Sequence, residues 1–551
     1  MPKDPMPAGT VTVGEAVARV LEAHGVTDAF GVISIHNMPV LDAFARRGRI
    51  RFIPARGEAG ASNMADAATR VTGRTAVCVT STGTGAGNAA GALVEAQTAG
   101  TPMLHLTGQI DRAYLDRGWG FIHEAADQPG LLRAVSKAFF RVSRPEEAVP
   151  VLRRALQVAH AAPTGPVSVE IPIDVQKAAV AADRPAGPLP VAPVPPDPAA
   201  LDRLIEALGR ARRPLLWLGG GARGAAAPAR RLADAGIGIV TSVAGRGVVD
   251  EAHPMSLGAF TIAPSVEDLY READLMVVVG SHLRSNETRT YVTPLPADLV
   301  RVDVDAAADG RGYPGSDFVQ GDAVAVLARL AEHVDALSID PAWAGAVEAA
   351  KAAAEAKLAA DAGPYAALID AVGAALPAEA AWVRDVTLSN SIWGNRRPLL
   401  DRPGRGVHAL GGGIGQGVAM GAGAAIAAGR PALALVGDGG FMLNPVELMT
   451  AREAGASLVV LLMNDGGYGV IRNIQDAHYG GRYGYTDLAN PGFADLARAF
   501  GIGHRRIAAL AEAEPALRRA FAAGGVQLVE VDMPAIGDFA IHFAGPPAKG
   551  A

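Results

Sequence analysis

"GDGGFMLNPVELMTAREAGASLVVLLMNDGGYG", Gly437 to Gly469, decides how this chain is read. The apolar run "PALALV" leads into Gly437-Asp438-Gly439-Gly440, and a second run, "SLVVLLM", leads into Asn464-Asp465-Gly466-Gly467. Short apolar runs that end in glycine turns, with a helical pattern between them, predict successive buried strands. Ligands of open α/β sheets bind beyond the carboxyl ends of the strands, where both acidic turns stand. Glycine lets the backbone approach a bound group and point N–H groups at it. Asn444-Pro445-Val446-Glu447 reads as a helix start, with Asn as cap, Pro in the first turn and Glu closing a capping box.

Backbone donors suit a phosphate, but Asp438 would repel one. Mg²⁺ removes the conflict, because it takes about six oxygen ligands and commonly bridges a carboxylate to phosphates. The second turn offers further side-chain and backbone oxygens. A single Gly-Asp-Gly is an ordinary turn; two acidic turns at successive strand ends predict one diphosphate–Mg²⁺ site.

The rest of the chain agrees with an α/β architecture. Its 551 residues suggest about three or four domains. Half are apolar and 19% charged, which is ordinary for a soluble globular protein. The formal charge of −6 gives no reason to expect nucleic acid. Cys78 is the only cysteine, so no intrachain disulfide can form. "MPKDPMPAGTVTVGEAV" lacks the pattern of a signal peptide, and no stretch of about 18 apolar residues predicts a membrane span. A cytoplasmic protein with no membrane partner is expected.

The proline-rich "AADRPAGPLPVAPVPPDPAALDRL", Ala181 to Leu204, reads as a linker. Before it, "RTAVCVTS" and "GPVSVEIPIDV" predict strands among helical patterns; after it, "RPLLWLGGGA", "GIGIVTSV", "ADLMVVVGS" and "ADLVRVDVD" predict four more. The alanine-rich "PAWAGAVEAAKAAAEAKLAADAG" reads as a solvent-washed helical connector to a third unit. Three doubly wound α/β domains with mostly parallel sheets are expected, at residues 9–180, 199–335 and 364–545. "GAGNAAGA" (Gly85 to Ala92) and "GQGVAMGA" (Gly415 to Ala422) match at five of eight positions, a faint echo compatible with related first and third domains.

Gly-Asp-Gly followed by an Asn/Asp-rich turn resembles the cofactor signature of the thiamine-diphosphate-dependent enzymes, in the acetolactate synthase and benzoylformate decarboxylase branch. The resemblance covers nearly the whole chain and implies a pyrimidine-binding, a central and a diphosphate-binding domain. "RGEAGASNMADAATRVTG" (Arg56 to Gly73) is similar to the segment around the family's catalytic glutamate, which puts Glu58 in that role. "STGTGAGN" resembles the glycine turn that follows it, and "LGGGIGQGVAMGAGAAIAAG" the stretch that grips the aminopyrimidine. Carried over, the resemblance implies cofactor contacts at Thr387, Gly412, Ile414, Gly437, Asp438, Gly439, Gly440, Asp465, Gly467, Tyr468 and Gly469. Ile414 would wedge the cofactor into its bent shape, and the Gly412 carbonyl would receive its amino group. The implied Mg²⁺ ligands are Asp438, the Gly467 carbonyl and Asp465, which stands 27 residues after Asp438. If the turn is shifted, Asn464 takes the place of Asp465.

Glu58 alone also reads as a helix N-terminal acid serving the macrodipole. In the family's role it shares a proton with the pyrimidine ring, which calls for a carboxylate buried among small apolar residues. The family builds each site between subunits, implying a homodimer or homotetramer. FAD occupies the central domain of some members, and "GGGARG" (Gly219 to Gly224) leaves its presence open.

On the substrate side, Ile35 stands where pyruvate decarboxylases carry an acid and benzoylformate decarboxylases a serine, and Ile471 replaces a later glutamate. His36, Gln109, His123 and His478 are the polar candidates to face a small-molecule 2-oxo acid. His478 lies in a Gly/Tyr-rich segment that reads as a lid. With few acid–base groups expected near the reacting carbon, acetolactate-synthase-like carboligation is the leading reading. The alternative is a non-carboligating decarboxylase of the benzoylformate decarboxylase type. Acyl-CoA chemistry ranks lower for want of a basic nucleotide-binding cluster. A non-enzymatic cofactor binder would be expected to have lost Glu58.

Overall fold

The computed structural model describes residues 7–183 and 187–545. The first six residues of the N-terminal reading and residues 184–186 of the linker lie outside them. Eight strands precede the linker: β1 Thr10–Thr12, β2 Asp28–Gly31, β3 Arg51–Pro54, β4 Val77–Thr80, β5 Leu104–Gln109, β6 Ala138–Arg141, β7 Val167–Pro172 and β8 Ala179–Ala181. Six form a parallel sheet in the order β3-β2-β4-β5-β7-β6, and β1 pairs with β8 as a short antiparallel ribbon. The linker ends where Asp197 caps the helix Pro198–Arg210 by accepting from the Ala200 N–H at 2.7 Å.

The central sheet contains β9 Pro214–Leu218, β10 Gly238–Thr241, β11 Leu275–Val279, β12 Leu299–Asp303 and β13 Asp317–Gln320, parallel and ordered β10-β9-β11-β12-β13. The third sheet holds β14 Ala381–Arg384, β15 Gly406–His408, β16 Ala432–Gly437, β17 Leu458–Asn464, β18 Gly503–Ile507 and β19 Val526–Asp532, again parallel, in the order β15-β14-β16-β17-β19-β18. Both quoted apolar runs are strands of this sheet, and both acidic turns lie at their carboxyl ends.

The first and third sheets share one strand order: counted within each sheet it is 2-1-3-4-6-5. The eight-residue echo is not the trace of that likeness. "GAGNAAGA" lies on the helix Thr84–Ala99, which follows β4, whereas "GQGVAMGA" enters the helix Gly417–Ala428, which precedes β16. The topological counterpart of the latter is the helix Glu58–Thr72.

These two counterparts pack on each other. A Cβ on Gly423 would sit 2.2 Å from the Met64 carbonyl oxygen, so only glycine permits this approach of the two backbones. Side chains of the first and third sheets accordingly share one buried cluster, which includes Phe30, Met64, Leu93, Met420, Leu458 and Phe493. The alanine-rich connector is the helix Trp343–Ala362, and it is not solvent-washed all round. Trp343, Val347, Ala350, Ala354 and Leu358, spaced three and four apart, bury one stripe, and Trp343 Nε1 donates to the Pro214 carbonyl at 3.2 Å. Among the described residues no helix is long and apolar enough to cross a membrane.

His105 on β5 is fully buried between Thr80 Oγ1, 2.9 Å from Nε2, and Ser168 Oγ, 3.0 Å from Nδ1. Burial pushes its pKa down from 6.5 to about 4, so the folded chain holds it neutral. The unfolded chain takes up a proton below 6.5; stability from this residue is therefore present above that pH and lost as pH falls toward 4. At about 1.4 kcal/mol per pH unit the loss reaches roughly 3 kcal/mol. Urea unfolding followed from neutral to mildly acidic pH should show this decline, and His105→Gln should flatten it.

Candidate active site

At the end of β16 the chain turns directly into the short helix Asp438–Phe441. Asp438 is fully buried. Its Oδ2 accepts from Asn490 Nδ2 at 2.6 Å, while Oδ1 is buried and receives no hydrogen bond. Asp465 is its neighbour: burial first, and then the Asp438 carboxylate, push the Asp465 carboxyl up to about 7. A Cβ on Gly469 would stand 1.9 Å from Asp465 Oδ2, so glycine is required for Asp465 to hold this place. The Gly467 carbonyl oxygen lies 3.4 Å from where a Gly439 Cβ would be, and the Tyr468 ring fills that same space at 2.6 Å. Asn464 turns away: Nδ2 donates to Glu530 Oε1 at 2.8 Å, and Oδ1 accepts from the Gly466 N–H at 3.3 Å.

An orphaned oxygen on the fully buried Asp438, beside the partly buried carboxylate of Asp465, fits a hard divalent cation. No group of three or more His, Cys, Asp or Glu able to hold a metal occurs among the described residues. That suits Mg²⁺, which keeps water and phosphate oxygens in its shell and needs only one or two carboxylates from the protein.

The neighbouring loop is held by Asp385, just past β14 and fully buried. Its Oδ2 accepts from the N–H groups of Gly415 at 3.0 Å and Gly417 at 3.1 Å, and Oδ1 from Val386 at 2.7 Å. Burial pushes Asp385 up to about 6 despite those donors. Thr387 Oγ1 accepts from the Asn390 N–H at 2.9 Å, and its methyl lies 3.5 Å from a Cβ placed on Gly437. A π-helical turn, Asn390–Gly394, follows. Ser389 Oγ, Asn390 Oδ1 and Gln416 Oε1 are buried without partners. Such unsatisfied groups are costly and call for a ligand or ordered water. A Cβ on Gly415 would lie 3.3 Å from the Gly440 carbonyl oxygen, so the Gly437–Gly440 turn, Thr387 and the loop at Gly412 and Ile414 come together. Gly412 has a φ of +82°, and Ile414 is 39% exposed at the loop's apex.

Glu58 occupies the first turn of the helix Glu58–Thr72. Its Oε2 accepts from Asn88 Nδ2 at 3.1 Å, and Oε1 lies 3.1 Å from a Cβ placed on Gly85. Burial, and then Glu58, push the Cys78 thiol well above its usual range. The expected enclosure of Glu58 is met on one side only, since the residue is half-buried in the single chain. Glu447 does not close a capping box: its helix begins at Glu447 with Val446 as an uncapped lead-in. Its fully buried carboxylate instead accepts from the N–H groups of Arg56 and Gly57, both at 3.1 Å, and from Thr450 Oγ1 at 2.7 Å. Burial raises its pKa. It thus fixes, from the third domain, the backbone that presents Glu58.

The substrate-side candidates divide. His36 is buried with Nδ1 unpartnered, and its ring meets His123 edge-on at 5.2 Å between centroids. Burial, His123 and Lys177 together lower the His36 pKa. His123 has a φ of +66°, and its carbonyl oxygen would lie 2.2 Å from a Cβ on Gly83, so the pair borders the glycine turn that faces Glu58. Gln109, by contrast, is not free to face a substrate. Its Oε1 accepts from Thr82 Oγ1 and the Ile110 N–H, both at 2.8 Å, and Nε2 donates to Glu170 Oε2 at 3.1 Å. Ile35 and Ile471 are 58% and 47% exposed. His478 is exposed on the helix Gly469–Tyr479, and the segment beyond is tethered back to that helix by Gln475, which bonds Gly484 at 3.0 and 3.1 Å. In the central domain a Cβ on Gly219 would lie 2.1 Å from the Gly280 carbonyl oxygen, so packing of two strand-end turns accounts for that glycine without a flavin.

Asp385, Asn88 and Asn490 escape the sequence reading, and Glu447 enters it only as a capping residue; the one available signal is an acid just past the apolar run Ala380 to Val383, for Asp385. Removing the Glu447 carboxylate would leave two backbone donors buried and unpaired, at about 1–3 kcal/mol each. Glu447→Ala should therefore lower stability by at least about 2 kcal/mol in urea titrations.

Residues 11–131 match the N-terminal TPP binding domain of the thiamine pyrophosphate enzymes, residues 201–330 their central domain and residues 389–531 their C-terminal TPP binding domain. Among named proteins, the chain is 36% identical over 541 residues to "Probable 2-ketoarginine decarboxylase AruI" of Pseudomonas aeruginosa, covering 95% of this chain and 94% of that one. It is 28% identical to the acetolactate synthase large subunit of Corynebacterium glutamicum, covering 93% and 84% of the two chains, and 29% identical to acetolactate synthase isozyme 1 large subunit of Escherichia coli, covering 89% and 88%. With its paired acidic turns, its three α/β sheets and these matches along its length, the chain belongs to the thiamine pyrophosphate enzyme family.

Proposed function

We propose that this family member is a Mg²⁺-dependent 2-oxo acid decarboxylase that releases an aldehyde. The observation that carries the reading is the His36–His123 contact beside the turn facing Glu58. Carboligation was favoured on the expectation that few acid–base groups border the reacting carbon; two imidazoles supply the proton-handling groups that plain decarboxylation needs. The 2-ketoarginine decarboxylase relative supports the same side, and the acetolactate synthases keep carboligation as the second reading.

When bound, thiamine diphosphate supplies a nucleophilic carbon and then accepts the electron pair left as CO₂ departs. The chain's own residues do the rest. Asp438, Asp465 and the Gly467 carbonyl would hold Mg²⁺, with Asp465 rather than Asn464 because Asn464 is engaged by Glu530. N–H groups of Gly437, Gly439 and Gly440, with Thr387, Tyr468 and Gly469, line the diphosphate. Gly412 and Ile414 would set the ring end, and the Glu58 carboxylate would share a proton with the pyrimidine ring. Ile35, His36, His123, Ile471 and His478 border the substrate. The exposed apex at Ile414, the half-buried Glu58 and the exposed Ile33, Ile35, Trp119 and Ile122 support a homodimer or homotetramer in which another copy closes the site. FAD is not part of the proposal.

Purified protein supplied with thiamine diphosphate and Mg²⁺ should convert 2-oxo acids, 2-ketoarginine and pyruvate among them, to CO₂ and free aldehyde. Condensed hydroxyketone or acetohydroxy acid products instead would establish the second reading. Asp438→Asn and Asp465→Asn should each weaken Mg²⁺-dependent cofactor uptake by 10-fold or more in calorimetry, as loss of a carboxylate ligand implies, while Asn464→Ala should have a smaller effect. Glu58→Gln should keep uptake within a few-fold and lose at least about 100-fold in turnover.

A further inference from the structure

Glu95 stands in the middle of the helix Thr84–Ala99 and is 1% exposed, yet no sequence motif points to it. Its carboxylate leaves the first domain. Oε1 accepts from the Leu410 N–H at 2.7 Å, and Oε2 from the Gly411 N–H at 2.5 Å. A Cβ on Gly411 would lie 2.8 Å from Oε2, so glycine is what admits the carboxylate. Arg70 holds Glu95 in place: Nη2 donates to Oε1 at 2.9 Å, Nη1 to the His408 carbonyl at 2.7 Å, and the same guanidinium pairs with the buried Asp66. Arg284 of the central domain completes the junction by donating to the Leu410 carbonyl and to the Thr98 carbonyl, both at 2.9 Å.

The loop from Leu410 to Gly417 is thus pinned at both ends by buried carboxylates, Glu95 at its start and Asp385 at its close. Its exposed stretch is Gly411 to Ile414, and burial resumes at Gly415. Two charge-assisted bonds to adjacent backbone N–H groups fix the two peptide planes that flank Leu410, and with them the point from which the chain enters Gly412. A carboxylate buried this deeply is costly unless its oxygens are satisfied, and here the loop itself supplies the donors.

We propose that Glu95 is a positioning residue for the cofactor's amino group: it aims the Gly412 carbonyl from across the domain boundary, and Arg70 and Arg284 brace it. The inference rests on the functional reading above, in which Gly412 meets the ring end of thiamine diphosphate. Supports of this kind around a ligand site are typically worth 10- to 100-fold.

The test compares full-length wild type, Glu95→Gln and Arg284→Gln. It reads thiamine diphosphate uptake with Mg²⁺ by calorimetry, the near-UV circular dichroism of the bound aminopyrimidine, and the melting temperature without cofactor. E95Q is expected to lose about 10-fold or more in affinity and to alter the aminopyrimidine band; R284Q should move both in the same direction by a smaller factor. Folded E95Q with wild-type affinity and an unaltered band overturns the proposal, even if its melting temperature falls, because that pattern marks a structural role alone. If E95Q does not fold, R284Q decides by the same two readouts. Wild-type protein that takes up no thiamine diphosphate overturns the functional reading together with this inference, and the wild-type arm alone tells that failure from the others.

Discussion

A backbone carbonyl against a glycine holds the first and third domains in register. The Met64 oxygen and Gly423 approach so closely that no side chain fits between the helices Glu58–Thr72 and Gly417–Ala428. The first helix begins with Glu58, and the second begins just after the Asp385-bound loop. Rigid packing at their contact therefore fixes the distance between the glutamate and the loop with little room for adjustment. The glycine and alanine content of both segments follows from this contact and needs no direct role in chemistry.

Buried carboxylates then distribute the work. Asp438 and Asp465 are left in electrostatic conflict, which a divalent cation relieves. Asp385, Glu447 and Glu95 are satisfied by backbone N–H groups and act as clamps. The difference lies in the donors: a carboxylate that gathers two peptide N–H groups is anchored, whereas Asp438 keeps one oxygen free of any donor. Glu447 and Glu95 cross the domain boundary in opposite directions, each holding the backbone just before a residue of the proposed site, Glu58 in one case and Gly412 in the other.

The substrate side follows the same distinction between free and engaged groups. Gln109 was expected to face the substrate, but its amide is engaged by Thr82, Ile110 and Glu170. His36 keeps a buried nitrogen without a partner beside a second imidazole, and the proposed decarboxylation draws on that availability.

The sequence by itself determined the strands with the clearest apolar runs, the acidic turns that end two of them, the Glu58 helix and the three α/β units, because apolar periodicity and turn chemistry are local properties. It could not choose between Asn464 and Asp465, since one residue of register at a strand end depends on which neighbour, Glu530 or Asp438, each side chain meets. Nor could it show the roles of Glu95, Asp385, Glu447 and Asn490, whose partners lie 30 to 391 residues away. It read the alanine-rich helix as solvated and the Gly/Ala echo as compatible with kinship, because composition does not say which face meets a partner or which helix occupies an equivalent place. Only the tertiary structure brings such pairs within hydrogen-bond reach, because a donor's direction is set by the packing of whole elements and not by the residues beside it.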